Sequence, residues 1–346
     1  MINTAIAGAS GYAGIELVKL ISNHPAAELI SITSNTYKGK ALTEIFPGMK
    51  GFENLVFEGL TVSGLAGRID VMFLALPHKV SMQYVPELIE AGIKVIDLSA
   101  DYRFSDAQLY EAAYQTHTSR HLLAQSVYGL SEIYKDEIKK SDLTGNPGCY
   151  PTSILLPLIP LVRENLISTD NIICDSKSGV SGAGRSLSLS THFCEVNESF
   201  NAYKIGNHRH TPEINEILSL NSQTGNIRIT FVPHLIPITR GMLSTIYVET
   251  HKGVSEDRIR SVYESYYGEH FFINILEPGS FPAVAHVRGT NRCDIGFYHD
   301  NAASRLVIVS AIDNLLKGAA GQAVQNMNLM FGLKDTTGLD SVHSPL

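Results

Sequence analysis

The chain has 346 residues and a mass of 37.8 kDa. At roughly 150 residues per domain it is long enough for about two domains, each with its own core. Hydrophobic residues make up 44% and charged residues 18%, which excludes a disordered chain. The 27 Lys and Arg against 34 Asp and Glu give a net charge of −7, which argues against a general nucleic-acid binder.

Residues 4–8 read as a short apolar strand. Residues 11–22 follow as a helix, with Ile15, Leu17, Val18, Leu20 and Ile21 at helical spacing and Pro25 helping to stop it. Residues 29–33 form a second strand. Residues 71–76 are a near-continuous apolar run bounded by Pro77, the pattern of a buried parallel strand. A helix over 80–91 ends at Gly92, and residues 94–98 make the next strand. This alternation predicts an α/β fold of Rossmann type, a doubly wound parallel sheet. The texture changes after Pro151. Residues 152–165 read as an apolar helix, followed by strand-like runs at 171–175, 227–232, 243–250, 271–276, 293–298 and 305–312. Helical patterns intervene at 212–218 and 256–267, and the last helix spans 314–330. More strand than crossover predicts an α+β domain with a mostly antiparallel sheet. The tail after Gly332 reads as loop.

Cys149, Cys174, Cys194 and Cys293 include no C-x-x-C pair, so a zinc knuckle or thioredoxin-like motif is not expected, and no other metal constellation is evident. Four cysteines are too few for a disulfide scaffold in a chain this long. The opening residues lack a basic segment, and glycines interrupt their apolar run, so no signal peptide is expected. The longest apolar stretch, 154–162, holds two prolines and falls far short of the ~20 residues that span a bilayer. A cytoplasmic protein without membrane partners is the expectation.

Gly8, Gly11 and Gly14 stand in G-x-x-G-x-x-G spacing directly after a strand and at the start of a helix. Glycines there allow a tight turn and let backbone N–H groups approach a pyrophosphate, favoured by the helix dipole. The spacing is a variant of the usual dinucleotide fingerprint, and a plain tight turn is the alternative. A carboxylate at the end of the second strand would suit the ribose of NAD. Here that end carries Ser34, Lys38 and Lys40 and no acid, so hydroxyls and lysines are set for the 2′-phosphate of NADP, unless the loop is simply solvated.

Cys149 lies in Gly145-Asn-Pro-Gly-Cys-Tyr-Pro-Thr152, just ahead of the long apolar helix. A thiol near a helix N-terminus sits in positive potential, which favours the nucleophilic thiolate. Neighbouring N–H groups are placed to stabilise an oxyanion. The plain alternative is a buried structural cysteine.

These two turns occur in order with Leu98-Ser-Ala-Asp-Tyr-Arg103, Gly182-Ala-Gly-Arg185, His208-Arg-His-Thr-Pro-Glu213 and the run from Asp313 to Gln325. Together they closely resemble the N-acetyl-γ-glutamyl-phosphate reductase family of arginine biosynthesis, with the aspartate-semialdehyde dehydrogenases as more distant relatives. The resemblance implies reduction of an acyl phosphate to an aldehyde by NADPH through a Cys149 thioester, which splits one hard step into two easier ones. It assigns proton transfer to the histidine motif. His210 is favoured because Glu213, three residues on, is placed to orient its ring, and His208 is the fallback. Substrate contacts are expected at Arg103, Asn146, Arg185 and Tyr203, with Arg209 and Arg240 as weaker anion-site candidates. Cofactor contacts are expected at Gly8, Ser10, Gly11, Tyr12, Ala13, Gly14, Ser34, Lys38, Pro77, Ser99, Gly182 and Asn314. The resemblance returns the last helix to the first domain. It therefore implies a cofactor domain of residues 1–148 and 313–346, a catalytic and dimerisation domain of 149–312, and a homodimer or homotetramer. The nearest alternative is the same chemistry on a lysine-pathway aminoadipyl or an aspartyl phosphate. A non-catalytic NADP-binding sensor would have no need of the cysteine, and a cysteine hydrolase would leave the glycine turn unexplained.

Overall fold

The computed structural model describes residues 1–340. The chain divides into two compact units, Met1–Pro147 with Ala319–Asp340, and Gly148–Gly318. The chain re-enters the first unit at Ala319 and not at the expected 313. Asp313 and Asn314 are hydrogen-bonded to Arg240, Gly241 and Ser181 of the second unit, which holds that stretch there. Residues 341–346, assigned above to the cofactor domain and to loop, lie outside the described residues.

The first unit holds seven strands: β1 (Ile2–Ala7), β2 (Ala27–Thr33), β3 (Phe57–Glu58), β4 (Val71–Leu74), β5 (Lys94–Asp97), β6 (Val127–Tyr128) and β7 (Leu143–Gly145). They pair in the order β3-β2-β1-β4-β5-β7-β6, every pair parallel. All of β4 is buried, as an apolar run covered on both faces requires. Strand order reverses between β1 and β4, and such a switch point opens a crevice at the carboxyl ends of the strands. Helix α1 (Tyr12–Ser22) starts beside that point. The helix expected over 80–91 is split into a 3-10 turn at Ser81–Gln83 and α2 (Val85–Glu90). Pro86 explains the break, because proline is tolerated in a first turn and not in a helix interior.

The second unit holds β8 (Ile172–Gly179), β9 (Asn201–Ala202), β10 (Ile229–Ile236), β11 (Met242–Glu249), β12 (Ile273–Ile275), β13 (Cys293–Asp300) and β14 (Arg305–Ile312). Their order is β12-β13-β14-β11-β8-β10-β9. The β8/β10 and β12/β13 pairs are parallel and the other four antiparallel, so the sheet is mixed with an antiparallel majority. Helix α3 (Cys149–Arg163) packs on β11 and β14 and against α4 (Thr211–Leu220) and α5 (Glu256–Tyr267). It starts at Cys149, three residues earlier than the apolar pattern indicates. Pro157 and Pro160 sit inside it. Pro160 removes the N–H that would bond the Leu156 carbonyl, and the Tyr267 hydroxyl donates to that carbonyl instead. The expected helix 314–330 is a π-turn at Leu316–Ala320 followed by α6 (Gly321–Met330). Among the described residues no helix is long and apolar enough to cross a membrane.

Candidate active site

In the first unit the glycine turn is built by close approach. Gly8 has φ +75°, and its N–H and that of Ala9 both donate to the Thr33 carbonyl at 3.1 Å. A Cβ on Gly8 would strike the Ala75 carbonyl, and one on Gly14 would strike the Gly8 carbonyl, so these two glycines set strand–strand and strand–helix packing. Gly11 differs: a Cβ there would meet only the Gly8 oxygen, at 3.5 Å. Gly11 is the N-cap of α1 and has no side chain to cap it, and the helix start presents the first-turn amides of Tyr12, Ala13 and Gly14. An open cradle at an uncapped helix start, beside the strand switch point, fits a dinucleotide pyrophosphate.

Other expected cofactor residues fall around the same strand ends. Ser10 and Ser34 share a hydroxyl–hydroxyl bond of 2.9 Å, and the Lys38 ammonium lies along Gly59, 3.2 Å from where a Cβ would stand. Pro77 is exposed just after β4. Ser99 is 1% exposed; its hydroxyl donates to Asp97 Oδ2 at 2.7 Å and accepts the Asp101 N–H at 3.1 Å. That hydroxyl braces the end of β5. Burial, and then the charge of Asp101, push the Asp97 carboxyl up to about 6. Arg103 is also buried: its Nε donates to the Asn146 carbonyl at 2.7 Å and its Nη2 to the Leu98 carbonyl at 2.8 Å. The Asn146 amide donates to the Ala319 carbonyl and accepts from Asn326, both at 3.1 Å. Asn146 therefore ties the turn before the cysteine to α6.

In the second unit Cys149 is the first residue of α3, half-buried, with Gly148 as N-cap. The Gly148 N–H donates to Glu213 Oε1 at 3.0 Å, and Glu213 is fully buried in the first turn of α4. Two helix starts are thereby fastened together, a link that lies across 65 residues of sequence. The rings of His208 and His210 pack edge-on against Tyr150, at centroid distances of 5.4 and 6.0 Å. His208 Nδ1 accepts the His210 backbone N–H at 3.1 Å, which puts its proton on Nε2, 3.5 Å from the Tyr203 hydroxyl. Burial, and then Arg209 and Lys204, pull the His208 imidazole down to about 3. The Tyr203 and Tyr150 hydroxyls meet at 3.3 Å, and burial raises both phenols above their ordinary range. Cys149, Tyr150, Tyr203, His208, His210 and Glu213 thus belong to one cluster.

Arg185 and Gly182 are exposed on the segment after β8. Asn314 was expected at the cofactor, but its amide is spent locally: Nδ2 donates to Ser181 Oγ at 2.9 Å and Oδ1 accepts the Gly241 N–H at 2.7 Å. Arg209 is exposed. Arg240 forks onto the buried Asp313, with Nε to Oδ2 and Nη2 to Oδ1 both at 3.1 Å. Cys174 and Cys293 are buried in strands and Cys194 is exposed. Among the described residues no group of three or more His, Cys, Asp or Glu is placed to hold a metal. The sequence reading missed the framework roles of Tyr150, Asp313 and Gly318; all three lie inside motifs it quoted, but only their contacts reveal the role.

A nucleotide-type turn in one unit and a cysteine at a helix start beside buried histidine and tyrosine rings in the other are the parts of a two-domain dehydrogenase. The semialdehyde dehydrogenase NAD binding domain model matches residues 3–141, and the semialdehyde dehydrogenase dimerisation domain model matches 149–314. A protein of Desulforapulum autotrophicum named N-acetyl-gamma-glutamyl-phosphate reductase is 59% identical over 340 residues, 98% of each chain. One of the same name from Desulfotalea psychrophila is 50% identical over 343 residues, 99% of each. In structure, aspartate semialdehyde dehydrogenase II of Vibrio cholerae, complexed with ASA, matches with TM-score 0.72 at 17% identity, over 96% of this chain and 98% of the other. Aspartate semialdehyde dehydrogenase of Candida albicans, with NADP, matches with TM-score 0.71 at 16% identity, over 96% and 98%. The chain belongs to the semialdehyde dehydrogenase family and, within it, to the N-acetyl-γ-glutamyl-phosphate reductases. It is an oxidoreductase that binds a nicotinamide dinucleotide through its first unit.

Proposed function

We propose that this chain reduces N-acetyl-γ-glutamyl phosphate to N-acetylglutamate 5-semialdehyde and phosphate, with NADPH as reductant, in arginine biosynthesis. The observation that carries the reading is Cys149 at the start of α3, its N-cap amide held by Glu213 and two imidazoles packed on the next residue. In the first step the Cys149 thiolate attacks the acyl carbon, the carbon–oxygen bond to phosphate breaks, and a thioester remains on Sγ. The amides of Tyr12, Ala13 and Gly14 would hold the reduced dinucleotide, which when bound would supply the hydride that reduces the thioester carbon. The Cys149 thiolate is released as the aldehyde forms, and His210 carries the protons of the cycle. His208 is poorly suited to that task, because burial keeps its imidazole in the neutral form near neutral pH, with its one proton on Nε2 and Nδ1 already accepting the His210 N–H. Its role here is to hold the His210 backbone and the Tyr203 hydroxyl.

Tyr12, Ala13 and Gly14 would bind the pyrophosphate of the dinucleotide with their amides, and Ser10 and Ser34 would face its ribose. Lys38, and the absence of an acid at the end of β2, support NADP over NAD. Arg103, braced by the Asn146 and Leu98 carbonyls, is held for the substrate phosphate, with Arg185 and Tyr203 at the remainder of the substrate. The domain that carries the cysteine also supports self-association. The face of its sheet away from α3 presents Ile173, Tyr247, Val307 and Tyr298 in one row across four strands, all at least partly exposed. A homodimer or homotetramer formed in the cytoplasm follows from that reading.

The reverse reaction tests it. Purified protein is given N-acetylglutamate 5-semialdehyde, NADP and phosphate, and reduced cofactor is followed by absorbance. Expected are dependence on phosphate, preference for NADP over NAD, and loss of turnover in Cys149→Ser. Turnover on aspartate semialdehyde in place of the acetylated aldehyde would move the substrate to a relative's acyl phosphate. Turnover without phosphate would overturn the acyl-phosphate chemistry.

A further inference from the structure

The π-turn after β14 stands against the nucleophile turn. A Cβ built on Gly318 would lie 2.7 Å from Cys149 Cβ and 3.2 Å from its Cα, with Ile312 Cδ1 at 3.3 Å. Neither cysteine atom moves by a change of rotamer, because both are fixed by the backbone at the start of α3. A side chain at 318 must therefore push the first turn of α3 away. The displacement is about 0.7 Å, the gap between 2.7 Å and ordinary contact at 3.4 Å.

The position of Gly318 is itself prescribed. Its N–H donates to the Asp313 carbonyl at 3.0 Å, five residues back, which widens the helix into a π-turn. The Asp313 side chain is fully buried. Its Oδ1 accepts the N–H groups of Leu315 and Leu316 at 2.8 and 3.1 Å, and its Oδ2 accepts that of Gly289 at 2.7 Å. The Arg240 fork then anchors the carboxylate to the end of the β10–β11 connection. One buried carboxylate thus winds the turn that presents a bare Cα to the cysteine.

We propose that Gly318 and Asp313 are positioning residues that fix where the Cys149 thiol stands at the start of its helix. The inference rests on Cys149 being the nucleophile. A misplacement near 1 Å in such a site costs roughly 100-fold in rate, because attack needs near-contact geometry. Gly318→Ala is therefore expected to lower kcat by roughly 100-fold, with KM for the acylating substrate changed much less. Cofactor affinity should stay within about twofold, since the dinucleotide turn lies in the first unit. The decisive readout is alkylation of Cys149 by iodoacetamide as a function of pH, resolved by peptide mapping on the full chain. Wild type should label Cys149 fastest of the four cysteines, and Gly318→Ala should slow that labelling or move its midpoint.

An alanine here that acted only through helix propensity would leave the thiol profile where it was, raising stability if anything. Should Gly318→Ala not fold, Asp313→Asn supplies the alkylation test without added bulk. If wild-type Cys149 labels no faster than the other cysteines, the nucleophile reading fails. If it labels fast, and equally fast in both variants with kcat unchanged, the positioning inference is overturned.

Discussion

The two histidines of one tripeptide are both buried, and they differ in the hydrogen bond that fixes the His208 ring. His208 is 7% exposed, and its Nδ1 already accepts a backbone N–H. Its folded value, near 3, lies below the ordinary 6.5 of an unfolded histidine, so the unfolded chain takes up this proton first as pH falls. The group adds no pH dependence above 6.5, and stability drains away from there down toward 3. At pH 5 the loss is about 2 kcal/mol, from 1.36 kcal/mol per unit over the interval from 6.5 to 5. Denaturant melts of wild type and His208→Gln at pH 7.5 and 5.0 check this: the stability gap between the two pH values should shrink by about that amount in the variant. An unchanged gap would place the acid sensitivity elsewhere. Catalysis should separate the same pair. His210→Ala is expected to lose about 10²–10⁴ in kcat/KM, the scale of a missing general acid–base group. His208→Gln, which retains an acceptor for the His210 N–H, should lose no more than about tenfold.

At the scale of elements, the site depends on how helix starts are tied. Gly148 has no side chain to cap α3, and Glu213 of α4 accepts its amide from a distant part of the chain. Glu213→Ala leaves that buried N–H without its acceptor and should cost about 1–3 kcal/mol. Glu213→Gln keeps an acceptor oxygen and should retain most of the stability, so thermal melts of the two variants separate the cap from the charge. Equal losses would show that the charge, and not the acceptor, holds the turn. The contact also shows where sequence reading reaches its limit. Strands β1, β4 and β14 and helices α1 and α5 were legible because apolar spacing records local burial. The start of α3 at Cys149 was not, since Pro151 reads as a break in the pattern and the cap comes from residue 213. Glu213 was expected to orient His210, but its bond to Gly148 needs the tertiary fold. The π-turn was equally hidden, because Leu316 to Ala320 fits an ordinary helix until the buried Asp313 carboxylate and carbonyl are seen to wind it.

At the scale of the whole molecule, the discontinuous first unit was implied by family resemblance and not by periodicity, and its return point follows from buried polar contacts. α6 enters the first unit with Gln322, Asn326 and Asn328 fully buried. Gln322 and Asn326 both donate to the Gly129 carbonyl, at 3.1 and 2.9 Å, and Ser131 Oγ donates to Asn326 Oδ1 at 2.6 Å. Such a helix face is stable only where its partners are waiting, so the last helix is committed to one place in the fold. The sheet of the second unit makes the opposite provision. Cys174, Ile246, Ile308 and Phe297 are buried on the face that α3 covers, while their neighbours Ile173, Tyr247, Val307 and Tyr298 stay partly open on the other. Alternation of this kind normally puts polar residues on a solvated face. Apolar ones there fit a second copy of the same sheet across a two-fold axis, where Tyr247 and Val307 would lie near the centre of the contact. Val307→Glu places a charge in that contact and leaves the covered face untouched. Sedimentation velocity at micromolar concentration should find wild type as dimer or tetramer and the variant shifted toward monomer. Its melting temperature should also lose the concentration dependence expected of an assembled wild type. A variant that sediments like wild type would exclude this face as the contact.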